Sequence, residues 1–237
     1  MRLWSLYLGM PRNDTNVRSI KLFLRHLFEK TDTYPDFIMI QQCHQLLLDT
    51  VCRVLREYHY NAHRPEALRY HEWIHLCFSR QPLTVQFEPL RGHADRGMIV
   101  VPMDNPRWIL MSTTIPETQP VRNRQWTQVD ELRAKYASTP IVFCGNMASR
   151  SFHTPPPQLT HWVDVWEYIG DDAHAYTLDS TRNTSIETPC PLRERPDRIY
   201  VTARTPPTLH ALTLLGIDLE FPGLNHYGLQ LDFEFEV

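Results

Sequence analysis

The 237 residues carry a net charge of -3, with 42% hydrophobic and 22% charged side chains, a balance that suits one folded domain with a large core. It excludes a global positive field that would recruit nucleic acid or an anionic membrane, and no apolar run reaches membrane-spanning length. Five scattered cysteines without paired metal spacing predict reduced, buried thiols in an intracellular protein, with nothing to separate nucleus from cytoplasm.

The apolar run Leu3 to Met10, behind Arg2, is too short for a signal peptide and lacks a small-residue cleavage site, and Leu3 to Leu8 within it predicts a first strand. Val17, Ile20, Leu24, Leu27 and Phe28 recur at helical spacing and predict a helix that ends before Tyr34-Pro35. Phe37 to Ile40 predicts a buried strand stopping at Gln41-Gln42, and Leu46 to Tyr58 a second helix with Leu47, Val51, Val54 and Leu55 on one face. Strand, helix, strand, helix is the opening of a layered α/β domain.

His71-Glu72-Trp73-Ile74-His75 matches the HExxH pattern of zinc peptidases, in which two histidines one helical turn apart share a metal and the glutamate acts as base. The residues that follow argue against it. Ile74 to Phe78 and Leu83 to Phe87 read as two strands of a hairpin around Gln81-Pro82. On a strand, positions four apart lie about 13 Å from each other. No ion about 2 Å from each nitrogen bridges that distance.

Gly97 to Val101 and Trp108 to Ser112 predict two strands joined at Asp104-Asn105-Pro106. Val121, Gln125, Val129, Leu132 and Tyr136 predict a third helix. Ile141-Val142-Phe143-Cys144 then reads as a buried strand whose tip opens at Gly145, the place where α/β proteins commonly put their chemistry. Beyond a rigid Pro155-Pro156-Pro157 loop come the apolar segments Trp162 to Trp166 and Tyr176 to Asp179. Asp197 to Val201 predicts another strand, and the strict alternation from Leu229 to Phe235 a half-buried strand closing a sheet.

Taken together, Trp162 to Gly170, Tyr176-Thr177-Leu178-Asp179 with Asn183, Cys190, Arg195 to Ile199, Leu214-Leu215-Gly216 and His226-Tyr227-Gly228 resemble the endonuclease/exonuclease/phosphatase superfamily. Within it, they are most similar to the tyrosyl-DNA phosphodiesterase 2 family. The resemblance runs along the whole chain and implies a single domain, residues 1–237. Its implied fold is a four-layer α/β sandwich, two mixed β-sheets packed face to face and flanked by helices. It also implies a phosphodiesterase chemistry in which Mg²⁺ is held chiefly by a glutamate after the second strand, with an aspartate, an asparagine and histidines around the phosphate.

Position by position, this sequence departs from that chemistry. Gln42 stands for the metal-binding glutamate, Asn146 for the strand-tip aspartate and Ala148 for the following asparagine. Thr114 stands for one histidine and Asn225 for a further aspartate, while the asparagine expected at the end of the first strand has no match around Leu8-Gly9. An amide binds Mg²⁺ poorly and does not act as a general base near neutral pH. His226 and Asp197 are retained; they either hold a phosphate or satisfy each other in the core.

The resemblance therefore implies a catalytically degenerate phosphodiesterase-fold protein, a pseudoenzyme without the family Mg²⁺. It would act as a binding or interaction module for nucleic acid, a phosphorylated ligand or another protein, and not at a membrane. Arg122, Arg124, Arg193, Arg195, Arg198 and Arg204 either flank a groove or are solvated surface residues. The alternatives are a metal-dependent phosphodiesterase with residual activity and, more remotely, a zinc peptidase.

Overall fold

The structure is a computed structural model. It describes residues 1–9, 14–66, 73–91, 93–115, 118–136, 138–147, 160–183, 186, 188–204, 206–217 and 225–235. Two six-stranded sheets dominate. The first contains β1 (Arg2–Tyr7), β2 (Phe37–His44), β3 (Asn61–His63), β4 (Trp73–Ser79), β13 (Thr208–Leu215) and β14 (Gly228–Glu234), in the order β13-β14-β1-β2-β4-β3. The second contains β5 (Gln86–Leu90), β6 (His93–Asp104), β7 (Arg107–Thr114), β8 (Ile141–Asn146), β9 (Trp162–Asp164) and β12 (Asp197–Thr202), in the order β5-β6-β7-β8-β12-β9. Each sheet is mixed, with one parallel pair, β1–β2 or β7–β8, at its centre. A two-stranded ribbon, β10 (Leu178–Asp179) with β11 (Arg193–Glu194), lies apart from both.

The four layers follow from how alternate side chains sort. Along β2, Ile38 and Ile40 pack with the helices α1 (Asp14–Lys30) and α2 (Gln45–Glu57), while Phe37 and Met39 enter the space between the sheets. Along β8, Val142 and Cys144 face that same inner space, whereas Ile141 and Phe143 pack with Trp126, Val129 and Leu132 of α3 (Gln119–Lys135). Strands covered on both faces read as continuous apolar runs, which is why these two were legible in the sequence. The predicted helix faces hold as well, with Leu47, Val51, Val54 and Leu55 of α2 all buried.

Several expectations change. Ile74–Phe78 and Leu83–Phe87 do not form a hairpin, because β4 pairs with β2 and β3 in the first sheet while β5 pairs with β6 in the second. Short apolar runs separated by a turn signal look alike whether the chain folds back or crosses between sheets. Strand β2 does not stop at Gln41-Gln42 but continues to His44, with an irregularity in its pairing to β4 between Ile40 and Cys43. Trp162 to Trp166 divides into β9 and the short helix α4 (Val165–Ile169). The alternating strand β14 lies inside its sheet, between β13 and β1, and β13 forms the edge. Cys43, Cys77 and Cys144 are buried, but Cys190 is exposed, and all five thiols are free. Among the described residues, no helix is long and apolar enough to cross a membrane.

Candidate functional site

The C-terminal tips of the parallel pairs β1–β2 and β7–β8 carry the positions singled out in the sequence. At the tip of β8, Gly145 has φ +142°, and its bare Cα lies against the backbone of its β7 neighbour Thr113. A Cβ there would collide with the Thr113 carbonyl, so the position requires glycine. Asn146 follows and is buried. The antiparallel register of β12 against β8 sets Asp197 directly opposite Asn146.

Asp197 is the hub. Its Oδ1 accepts a hydrogen bond from Asn146 Nδ2 at 3.0 Å, and its Oδ2 accepts from Thr177 Oγ1 at 2.7 Å. The same Oδ2 lies 2.6 Å from Nδ1 of His226. An ionised carboxylate only accepts, so Nδ1 carries the proton of that contact, leaving Nε2 as the other polar atom of the ring. The Thr177 carbonyl also accepts from the Tyr227 amide, at 2.8 Å, tying the segment around Thr177 to the residue after His226.

Gln42 sits in the pairing irregularity of β2 with φ +48°, in the left-handed region that a non-glycine residue adopts only at some cost. Its Oε1 accepts a hydrogen bond from the Tyr7 hydroxyl at 2.7 Å. The Tyr7 ring in turn packs on the His226 imidazole, with centroids 4.5 Å apart. Gln42, Tyr7, His226, Asp197 and Asn146 thus form one continuous chain of contacts. Thr114 lies beside Asn146 in the parallel register of β7 and β8; its hydroxyl is buried and has no hydrogen-bond partner among the described residues. Asn225 is exposed and immediately precedes His226. Ala148 falls outside the described residues, as do His71 and Glu72. His75 is buried on β4, a strand rather than a helix.

Below the tip, the inter-sheet space turns polar. Gln41 Nε2 donates across it to Ser112 Oγ of the second sheet at 2.9 Å and to Ser5 Oγ at 3.1 Å. Burial pushes the neighbouring Cys144 thiol up to about 11, with hydrogen bonds from Ser5 and Ser112 opposing the shift.

Two of the arginines proposed for a groove are core residues instead. Arg195 and Arg198 are buried and share Asp164, at 3.0 and 2.7 Å from its Oδ2. The Arg195 guanidinium also lies 4.4 Å from the Trp166 ring centroid. Arg193 is exposed, but it is engaged by Thr181 at 3.0 Å and by Asp179 at 3.5 Å. Arg122, Arg124 and Arg204 are at least partly exposed.

The donor set does not suit Mg²⁺. That ion takes carboxylates and dehydrates reluctantly. Here the amide oxygen of Gln42 already accepts from Tyr7, and the Asp197 carboxylate is engaged by three side chains. Among the described residues, no group of three His, Cys, Asp or Glu side chains is placed to hold a metal. Sequence reasoning missed Tyr7 and Thr177. Each lies inside a recognised stretch, but neither contact is local: Tyr7 reaches across 35 positions and Thr177 across 20.

No protein-family model matches the sequence, and no curated protein matches it. Solved structures do. A TDP2 from D. rerio, complexed with a single-strand DNA product, superposes with a TM-score of 0.77 at 17% identity, covering 99% of this chain and 98% of that one. A truncated TDP2 from Caenorhabditis elegans gives 0.77 at 17% identity, covering 98% and 97%. A mannosyl-6-phosphatase from Bacteroides thetaiotaomicron gives 0.74 at 11% identity, covering 99% and 100%. The fold is therefore that of the endonuclease/exonuclease/phosphatase proteins.

Proposed function

We propose that this chain is a catalytically degenerate phosphodiesterase-fold protein that binds rather than hydrolyses, with a nucleic acid or another phosphorylated ligand as its partner. The observation that carries this reading is the state of the strand tips. Gln42 and Asn146 are amides, and the carboxylate between them, Asp197, is committed to Asn146, Thr177 and His226. A centre built this way offers hydrogen-bond donors but neither a charged cage for Mg²⁺ nor a free carboxylate base. With both ring nitrogens protonated, His226 would donate from Nε2 to a phosphate oxygen while Asp197 holds the ring through Nδ1. The DNA strand bound by the D. rerio structure supports testing nucleic acid first. Fold alone does not fix the ligand.

The test combines binding and turnover on the purified chain. Fluorescence anisotropy with a 5′-phosphorylated single-stranded oligonucleotide is expected to give salt-dependent binding that His226→Ala weakens. No cleavage is expected with Mg²⁺ or Mn²⁺ present. Metal-dependent cleavage of a phosphodiester would overturn the reading in favour of a surviving phosphodiesterase, for which the retained His226–Asp197 pair speaks. Absence of binding to any phosphorylated probe would leave a protein–protein module.

A further inference from the structure

We infer that Tyr7 seals the centre, so that a divalent cation is kept out by shape as well as by missing charge. This inference rests on the reading of a metal-free centre and names the residue that enforces it. Strand β1 ends at Tyr7, whose side chain is partly buried and reaches two positions at once. Its hydroxyl donates to Oε1 of Gln42, the side chain at the left-handed turn of β2, and its ring lies over His226. The chain then turns at Gly9, φ +64°, where an added Cβ would come within 3.3 Å of Tyr7 Cε1. A side chain at position 9 would therefore press on the edge of the ring.

A cation beside position 42 must find open coordination positions for water or phosphate around its protein oxygens. The tyrosine side chain spans from Gln42 to His226, and its hydroxyl occupies the amide oxygen a cation would need. Were position 42 a glutamate, the same hydroxyl would donate to the carboxylate more strongly, because hydrogen bonds to ionised acceptors are the stronger ones. Restoring the acids without replacing the tyrosine therefore leaves the seal closed. The loss of acids and the presence of the aromatic are two separate barriers, and removal of both is needed to reopen the centre.

The experiment measures Mn²⁺ binding, with manganese chloride alone as the probe, by electron paramagnetic resonance. It compares the native chain, the triple variant Gln42→Glu/Asn146→Asp/Asn225→Asp, and that triple variant with Tyr7→Asn added. The triple variant is expected to bind weakly and the quadruple variant at least about tenfold more tightly, the scale on which residues around a metal centre tune affinity. Equal affinity of the two variants, or absence of binding in both, overturns the seal. Tight Mn²⁺ binding by the native chain would overturn the metal-free reading itself, a separate outcome. Melting curves check that each variant folds, and two single variants read the packing directly. Tyr7→Ala is expected to move the His226 ring-proton resonances by removing a ring current, while Tyr7→Phe leaves them in place. Unmoved resonances in Tyr7→Ala would also overturn the proposal.

Discussion

Nδ1 of His226 lies 2.6 Å from Oδ2 of Asp197, and the same carboxylate accepts from Asn146 and Thr177. One buried acid therefore holds together β8, β12 and the segments around Thr177 and His226. Replacing it with an amide exchanges an acceptor oxygen for a donor facing donors. Asp197→Asn is expected to cost about 1–3 kcal/mol, the penalty for leaving buried polar groups unsatisfied. Urea unfolding checks this as a lower midpoint at unchanged slope; an unshifted midpoint would remove Asp197 from its place as the hub.

The amide at 146 is matched to that acid. In Asn146→Asp, two carboxylates would meet where Nδ2 now lies 3.0 Å from Oδ1. Like charges at that separation favour the protonated form, so the pair binds more protons folded than unfolded. Stability of the variant relative to the native chain then falls as pH rises past the ordinary carboxylate range and is regained on acidification. Melting temperatures of both proteins at neutral pH and near pH 5 decide it. The gap between them should be wider at neutral pH, and a gap that ignores pH would contradict the account.

Asp164 is shared by two guanidiniums in the interior, and Glu167 lies 3.8 Å from one of them, Arg195. Both Arg195 and Arg198 are buried, and burial lowers the Arg195 group while pushing the adjacent Tyr200 hydroxyl up, so the tyrosine stays neutral. Asp164 also accepts from the Trp166 amide and caps α4. Asp164→Asn preserves the shape and much of the cap but removes the charge that both buried cations share, leaving Arg195 only the half-exposed Glu167 at 3.8 Å. The expected loss is about 3–5 kcal/mol, the cost of breaking a buried ion pair from one side. A loss below 1 kcal/mol in chemical denaturation would mean the arginines reach solvent instead.

The thiols should separate by burial. Cys190 is exposed, whereas Cys43, Cys77 and Cys144 are buried, and burial raises all three, Cys144 to about 11. Since the thiolate is the reacting form, a disulfide reagent at neutral pH should meet one fast thiol in the native chain and the three buried ones only on denaturation. Cys52, half-buried and also raised by burial, should react slowly. Cys190→Ser is expected to abolish the fast phase; its survival would place a second thiol at the surface.

The sequence by itself determined the alternation of strands and helices and which residues stand at the strand tips. Runs such as Ile141 to Cys144 are apolar at every position because both faces of the strand are covered, and helix faces such as Leu47, Val51, Val54 and Leu55 announce themselves by period. The identities of Gln42, Asn146 and Asn225 are likewise facts of the sequence. What only the tertiary structure decided is which residues meet. The crossing from β4 to β5, the burial of Arg195 and Arg198 on Asp164, and the placement of Tyr7 between Gln42 and His226 all depend on contacts between distant segments. Periodicity reports how each segment faces the core, but a polar or aromatic side chain at a strand tip takes its role from whatever the opposite strand brings to it. Tyr7 is the clearest case, an ordinary strand-end tyrosine in the sequence and the side chain that joins Gln42 to His226 in the fold.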